Sequence, residues 1–142
     1  MGKYFVSATS ESKSKVTVKA RHFDIVIDEP AELGGTDRGP NPVEYLLASY
    51  CGCINIVGHV VARQMQLDIK GLRIEMEGEI DPAKLRGKPT EERAGYKKIF
   101  VTVFPDIDAD NETVQKWLDT VIKRCPVGDN IENSTPVEVK LG

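Results

Sequence analysis

"PNPVEYLLASYCGCINIVGHVV", residues 40–61, opens on helix-start chemistry and then runs on with Glu44 as its one carboxylate and no Lys or Arg. Asn41 suits the N-cap, Pro42 the first helical position, and Glu44 stands at N3, where its carboxylate can return to the N-cap amide. No proline intervenes before Gln66, so the spacing predicts one helix over 42–66, ~37 Å long at about 1.5 Å per residue. At about 100° per residue from Cys53, Leu46, Tyr50, Ile56, Val57 and Val60 share one apolar stripe, and Leu47, Cys51, Asn55, Gly58 and Ala62 lie opposite. Both sides lack charge, so the helix is expected to be central and buried on two faces. The small residues of the second face suit close approach by another helix or by a symmetry mate.

Upstream, "KYFVSAT" (3–9), "SKVTVKA" (14–20) and "HFDIVID" (22–28) alternate at period two and read as an antiparallel meander. Between them and the helix, "PAELGGTDRGPNP" has the glycines and prolines of a loop. Downstream, "LRIEMEGEI" (72–80) and "YKKIFVTVF" (96–104) alternate again, joined by the polar surface loop "DPAKLRGKPTEERAG". A second amphipathic helix is predicted over 109–124, with Val114, Trp117, Leu118, Val121 and Ile122 at helical spacing and Asp110 as its cap. It must stop before Pro126, and Cys125-Pro126 can start a fresh turn with Cys125 at the N-cap. "TPVEVKL" (135–141) reads as a last strand.

A chain of 142 residues is expected to fold as one domain, 1–142. With 19 Lys and Arg against 22 Asp and Glu, its net charge of −3 gives no electrostatic grip on nucleic acid or on anionic lipid. There is no uninterrupted run of about 18 apolar residues, and residues 1–15 lack the apolar segment of a signal peptide, so a cytoplasmic location is expected. In a reducing compartment three cysteines argue for buried hydrophobes, a redox site or a metal site rather than a disulfide framework.

Each of those readings has its own physics. A single cysteine in an apolar helix is most often a small core residue, which is the reading for Cys51. A metal site would draw on Cys51, Cys53, Cys125 and His59, but Cys-x-Cys on a helix turns its sulfurs about 200° apart, and ligands on one face need spacings of three or four. A redox pair of Cys53 and Cys125 is the third reading. Cys53 is too deep in the helix to gain from its dipole, whereas Cys125 sits at a helix boundary beside Lys123 and Arg124. Spacing alone does not say that the two sulfurs meet.

"GGTDRGPNPVEYLLASYCGC" (34–53), followed by "RCPVGDNI" (124–131), resembles the OsmC/Ohr superfamily of osmotically inducible and organic-hydroperoxide-resistance proteins, in particular its OsmC-like branch. The resemblance implies an α+β fold in which antiparallel sheets wrap two central helices in an interlocked homodimer. It also implies a cofactor-free and metal-free thiol peroxidase. Cys53 would take oxygen from an organic hydroperoxide as a sulfenic acid, Cys125 would condense with it to a disulfide, and a dithiol reductant would reopen that bond. An apolar pocket of Leu46, Tyr50, Ile56 and Val57 would favour organic peroxides. Family members activate the first thiol with an arginine and a glutamate. Here "SESK" (10–13) replaces the usual glycine–arginine turn and Val43 stands at one glutamate position. Glu44 then matches the acidic residue of the OsmC-like branch and Arg38 is the nearest cation, with Arg21 behind it. A non-catalytic or redox-sensing module that holds a small apolar ligand is the alternative, and a purely structural dimer the third possibility.

Overall fold

The computed structural model describes residues 1–142 and is α+β. Its elements are strands β1 (Ser7–Ser10), β2 (Val16–Ala20) and β3 (Phe23–Ile27), helix α1 (Pro42–Gln64), strands β4 (Ile69–Glu79) and β5 (Lys98–Ile107), and helices α2 (Asn111–Arg124) and α3 (Pro126–Glu132). The chain divides into two compact units, Met1–Leu46 and Leu47–Gly142, with the division inside α1.

The first unit is the expected meander, β1-β2-β3, with Ala8 opposite Val18 and Val18 opposite Ile25. Its first strand is shorter than predicted. Tyr4, Phe5 and Val6 precede β1 and are 99%, 82% and 60% exposed, so their alternating pattern lacks a neighbouring strand to pair with. Arg21 turns the β2–β3 hairpin at a left-handed φ of 57° and lays its guanidinium 5.0 Å from the Phe23 ring centre.

Loop 28–40 is organised by the buried carboxylate of Asp28. One oxygen accepts the Glu29 N–H at 2.8 Å; the other accepts the Thr36 hydroxyl at 2.5 Å, the Thr36 N–H at 3.1 Å and the Arg38 N–H at 3.2 Å. The loop then lies against β3 so closely that a Cβ on Gly39 would stand 2.3 Å from the Val26 carbonyl oxygen. Tyr45 closes the packing by donating its hydroxyl to that same carbonyl at 2.8 Å.

The second unit holds the core: Tyr50, Ile54, Val61 and Ala62 of α1, Trp117 and Val121 of α2, and Cys125. Against it packs the inner face of the β4–β5 hairpin, where Ile74 pairs with Val103 and Met76 with Val101. Trp117 and Ile54 are fully buried, and each such side chain contributes roughly 1.5–3 kcal/mol relative to exposure. The indole N–H of Trp117 donates to the Gly58 carbonyl at 2.9 Å, which fixes the register of α2 on α1 without leaving a buried donor unpaired.

Helix α1 departs from expectation in two ways. It ends at Gln64, because Gln66 turns left-handed (φ 59°) and the Leu67 N–H bonds back to the Ala62 carbonyl, a closure that stops propagation. It is also buried on one face only. Tyr50, Ile54, Gly58, Val61 and Ala62 face the core, whereas Leu46, Ile56 and Val60 are 41%, 65% and 38% exposed. By length and composition α1 is apolar enough to cross a membrane. In this chain it is the helix on which Trp117 and Val121 pack.

The strand predicted over 135–141 does not form. No strand lies beside it to complete a ladder, and Val137, Val139 and Leu141 are 80%, 88% and 100% exposed. The other elements follow the pattern, including the caps. Asp110 accepts the Thr113 N–H at 2.7 Å, and Asn41 and Glu44 exchange side-chain bonds to each other's amides at 2.9 and 2.8 Å as a capping box.

Candidate functional site

Cys53 and Cys125, separated by 72 positions in the chain, bring their sulfurs to 2.7 Å, with the Cys125 thiol donating to the Cys53 sulfur. Two local decisions make this meeting. On α1, Cys53 follows Tyr50 by three residues and precedes Ile54, so its sulfur leans along the face that packs on α2. At the other end, Pro126 forbids α2 from continuing, and Cys125 takes an extended conformation (φ −76°, ψ 111°) that ends α2 and caps α3. In that position its sulfur does the work an oxygen does in an ordinary cap, accepting the Gly128 N–H at 3.4 Å.

Burial, together with the hydrogen bond to Cys53, pushes the Cys125 thiol up to about 11 against the pull of the Gly128 and Val127 amides. Cys125 therefore keeps its proton at neutral pH and shares it with Cys53. Tyr50 is 5% exposed, and its phenol is raised, by burial above all, so it also stays protonated. Cys51 is half-buried with its thiol raised by burial, and it has no part in the contact.

Of the apolar residues expected to line a pocket, Tyr50 and Val57 lie in or against the core beside Cys53. Leu46 and Ile56 are on the exposed strip of α1. Arg38 and Glu44 belong to the first unit, where they line a cavity of about 400 Å3 with Pro30, Asp37, Gly39 and Pro40. The Glu44 carboxylate is engaged with the Asn41 amide, and the backbone of Arg38 is tied to Asp28. Arg21 is at the β2–β3 hairpin tip over Phe23. No group of three His, Cys, Asp or Glu side chains is placed to hold a metal ion, and His59 is exposed.

Sequence reasoning missed two contributors. Asp28, at the end of a strand, reads as an ordinary polar boundary, because its partners are backbone amides up to ten residues away. Gly128 carries no local signal; only the packing reveals that Tyr50 occupies the space a side chain would need.

Comparison with known proteins returns the same fold. No curated protein sequence matches the chain. Among solved structures, an OsmC-like protein from Mycoplasma pneumoniae superposes with a TM-score of 0.81 at 21% identity, covering 94% of this chain and 89% of that one. An organic hydroperoxide resistance protein OsmC from Legionella pneumophila gives 0.65 at 18% identity, over 92% and 90% of the two chains. An organic hydroperoxide resistance protein from Elizabethkingia anophelis, with thiocyanate bound, gives 0.69 at 17% identity, over 94% and 91%. At such identities these likenesses speak to the fold alone. The sequence model for the OsmC-like protein family matches residues 35–140, a span that contains both members of the thiol pair, the second motif and all but Gly34 of the first. On that match, the chain belongs to the OsmC-like protein family.

Proposed function

We propose that the protein is a thiol-dependent peroxidase that reduces organic hydroperoxides in defence against oxidative stress. One observation carries the reading: two thiols from distant positions meet at 2.7 Å in a member of this family, and the buried one, Cys125, holds its proton at neutral pH. The Cys53 sulfur attacks the distal peroxide oxygen, the O–O bond breaks, and the alkoxide leaves as alcohol once protonated. Cys53 is then a sulfenic acid. Cys125 attacks that sulfur, the S–O bond breaks, and water leaves as the disulfide forms. A dithiol returns both sulfurs to thiols by exchange. Cys125 suits the second role because it holds its proton while Cys53 reacts and is already in contact with the sulfur it must attack.

The family resemblance gives Arg38 and Glu44 the task of favouring the thiolate, and Leu46, Tyr50, Ile56 and Val57 that of receiving the alkyl group of the peroxide. Arg38→Ala tests the first part. Slower oxidation of Cys53 with unchanged disulfide formation supports it, and an unchanged oxidation rate removes Arg38 from the site. Exposed apolar side chains on α1 and at both chain ends support a homodimer in which a second copy covers them.

Turnover decides the function. Purified, reduced protein should consume cumene hydroperoxide continuously with dithiothreitol, and the Cys53→Ser variant should not. A second reading, a redox-responsive ligand-binding dimer, is favoured by the commitment of Glu44 to its capping box. On that reading one equivalent of peroxide is consumed and turnover then stops under every dithiol.

A further inference from the structure

Gly128 touches both Cys125 and Tyr50. Its N–H holds the Cys125 sulfur at 3.4 Å, and its Cα faces the ring of Tyr50, which lies one helical turn from Cys53 on α1. A Cβ built on Gly128 would stand 2.9 Å from the Tyr50 hydroxyl oxygen, 3.0 Å from Cε2 and 3.1 Å from Cζ. Two ring carbons and the hydroxyl oxygen are in the way, not one mobile tip. Tyr50 is 5% exposed and belongs to the core, so the ring cannot swing into solvent to make room. The first turn of α3 must therefore sit flush against Tyr50, and Cys125, one turn-width away at the cap, is carried with it onto Cys53.

We infer that Gly128 is a positioning residue for disulfide closure: the space it leaves for the Tyr50 ring lets the Cys125 sulfur approach the Cys53 sulfur, and hence sets the rate at which the second thiol resolves the first. This deepens the peroxidase reading and rests on its assignment of the two cysteines. Any side chain at Gly128 displaces α3 by a few tenths of an ångström or more, lengthening a contact that closure needs short. The first oxidation at Cys53 requires no such approach and is unaffected.

Diamide tests this without peroxide. The first thiolate adds to the N=N bond, and the second attacks that sulfur and expels the hydrazine, so the two sulfurs lose two electrons and the diazene gains them with two protons. Rapid-quench mass spectrometry would follow the Cys53 adduct and the Cys53–Cys125 disulfide in wild type, Gly128→Ala and Tyr50→Leu/Gly128→Ala. In Gly128→Ala we expect adduct formation at the wild-type rate, closure slowed roughly tenfold or more, and the adduct accumulating. The double variant, freed of the ring, should recover closure to within about threefold of wild type. A Gly128→Ala protein that closes at the wild-type rate overturns the inference, as does a double variant that stays slow; the double variant alone decides if the single one does not fold. Diamide supplies the oxidising equivalents, so a wild type that closes normally but turns over no hydroperoxide removes the peroxidase reading while this test stands.

Discussion

At the scale of single residues, the chemistry depends on where protons sit. Cys125 is raised to about 11, mainly by burial, a cause that persists after Cys53 is oxidised. Its attacking form is scarce at neutral pH and grows about tenfold per pH unit below that value. The lifetime of the Cys53 sulfenic acid, read by trapping with dimedone, should accordingly shorten about tenfold per unit between pH 7 and 9; a pH-independent lifetime would mean that the proton leaves in the same step as the S–O bond breaks. Asp28 illustrates the opposite sign. Hydrogen bonds from Thr36 first, then from the Glu29 amide, Ser14 and the Arg38 amide, hold its carboxyl well below the usual carboxylate range despite burial. Its contribution is present above the unfolded pKa near 4 and is lost as pH falls below it. Asp28→Asn puts an amide donor among donors, so urea unfolding should show a lower midpoint at pH 7 and a smaller difference from wild type at pH 3. Equal differences at both pH values would contradict a role for the ionised carboxyl.

At the scale of elements, the caps and the periodic faces were legible in the sequence because their causes are local. Asn41, Glu44, Asp110 and the Cys125-Pro126 pair act within a turn of themselves, and all four form the bonds their spacing suggests. Strand ends were less legible, since a strand needs a neighbour: residues 3–6 and 135–141 carry the alternation and lack the partner. The meeting of Cys53 with Cys125 was beyond local pattern altogether. It depends on how α2 crosses α1, which Trp117 decides by filling the space beside Gly58 and bonding its carbonyl. Trp117→Ala should destabilise the fold by about 3–5 kcal/mol in denaturant unfolding and slow disulfide closure as the register loosens. A loss under about 1 kcal/mol would show that the indole is not the keystone of this packing.

At the scale of the whole molecule, the single chain leaves large apolar side chains exposed: Ile56 and Val60 on α1, Tyr4, Phe5 and Val6 near one terminus, Val137, Val139 and Leu141 near the other. Sedimentation should find a dimer at micromolar concentration, and a monomer there would leave those residues unexplained. The central claim concerns two sulfurs and is tested most directly by their oxidation products. One equivalent of cumene hydroperoxide is added to reduced wild type and to Cys125→Ser, and each is mapped by peptide mass spectrometry. The account predicts a Cys53–Cys125 disulfide in the first, a Cys53 sulfenic acid in the second, and Cys51 unchanged in both. Cys53 left reduced, or oxidation centred on Cys51, would contradict it.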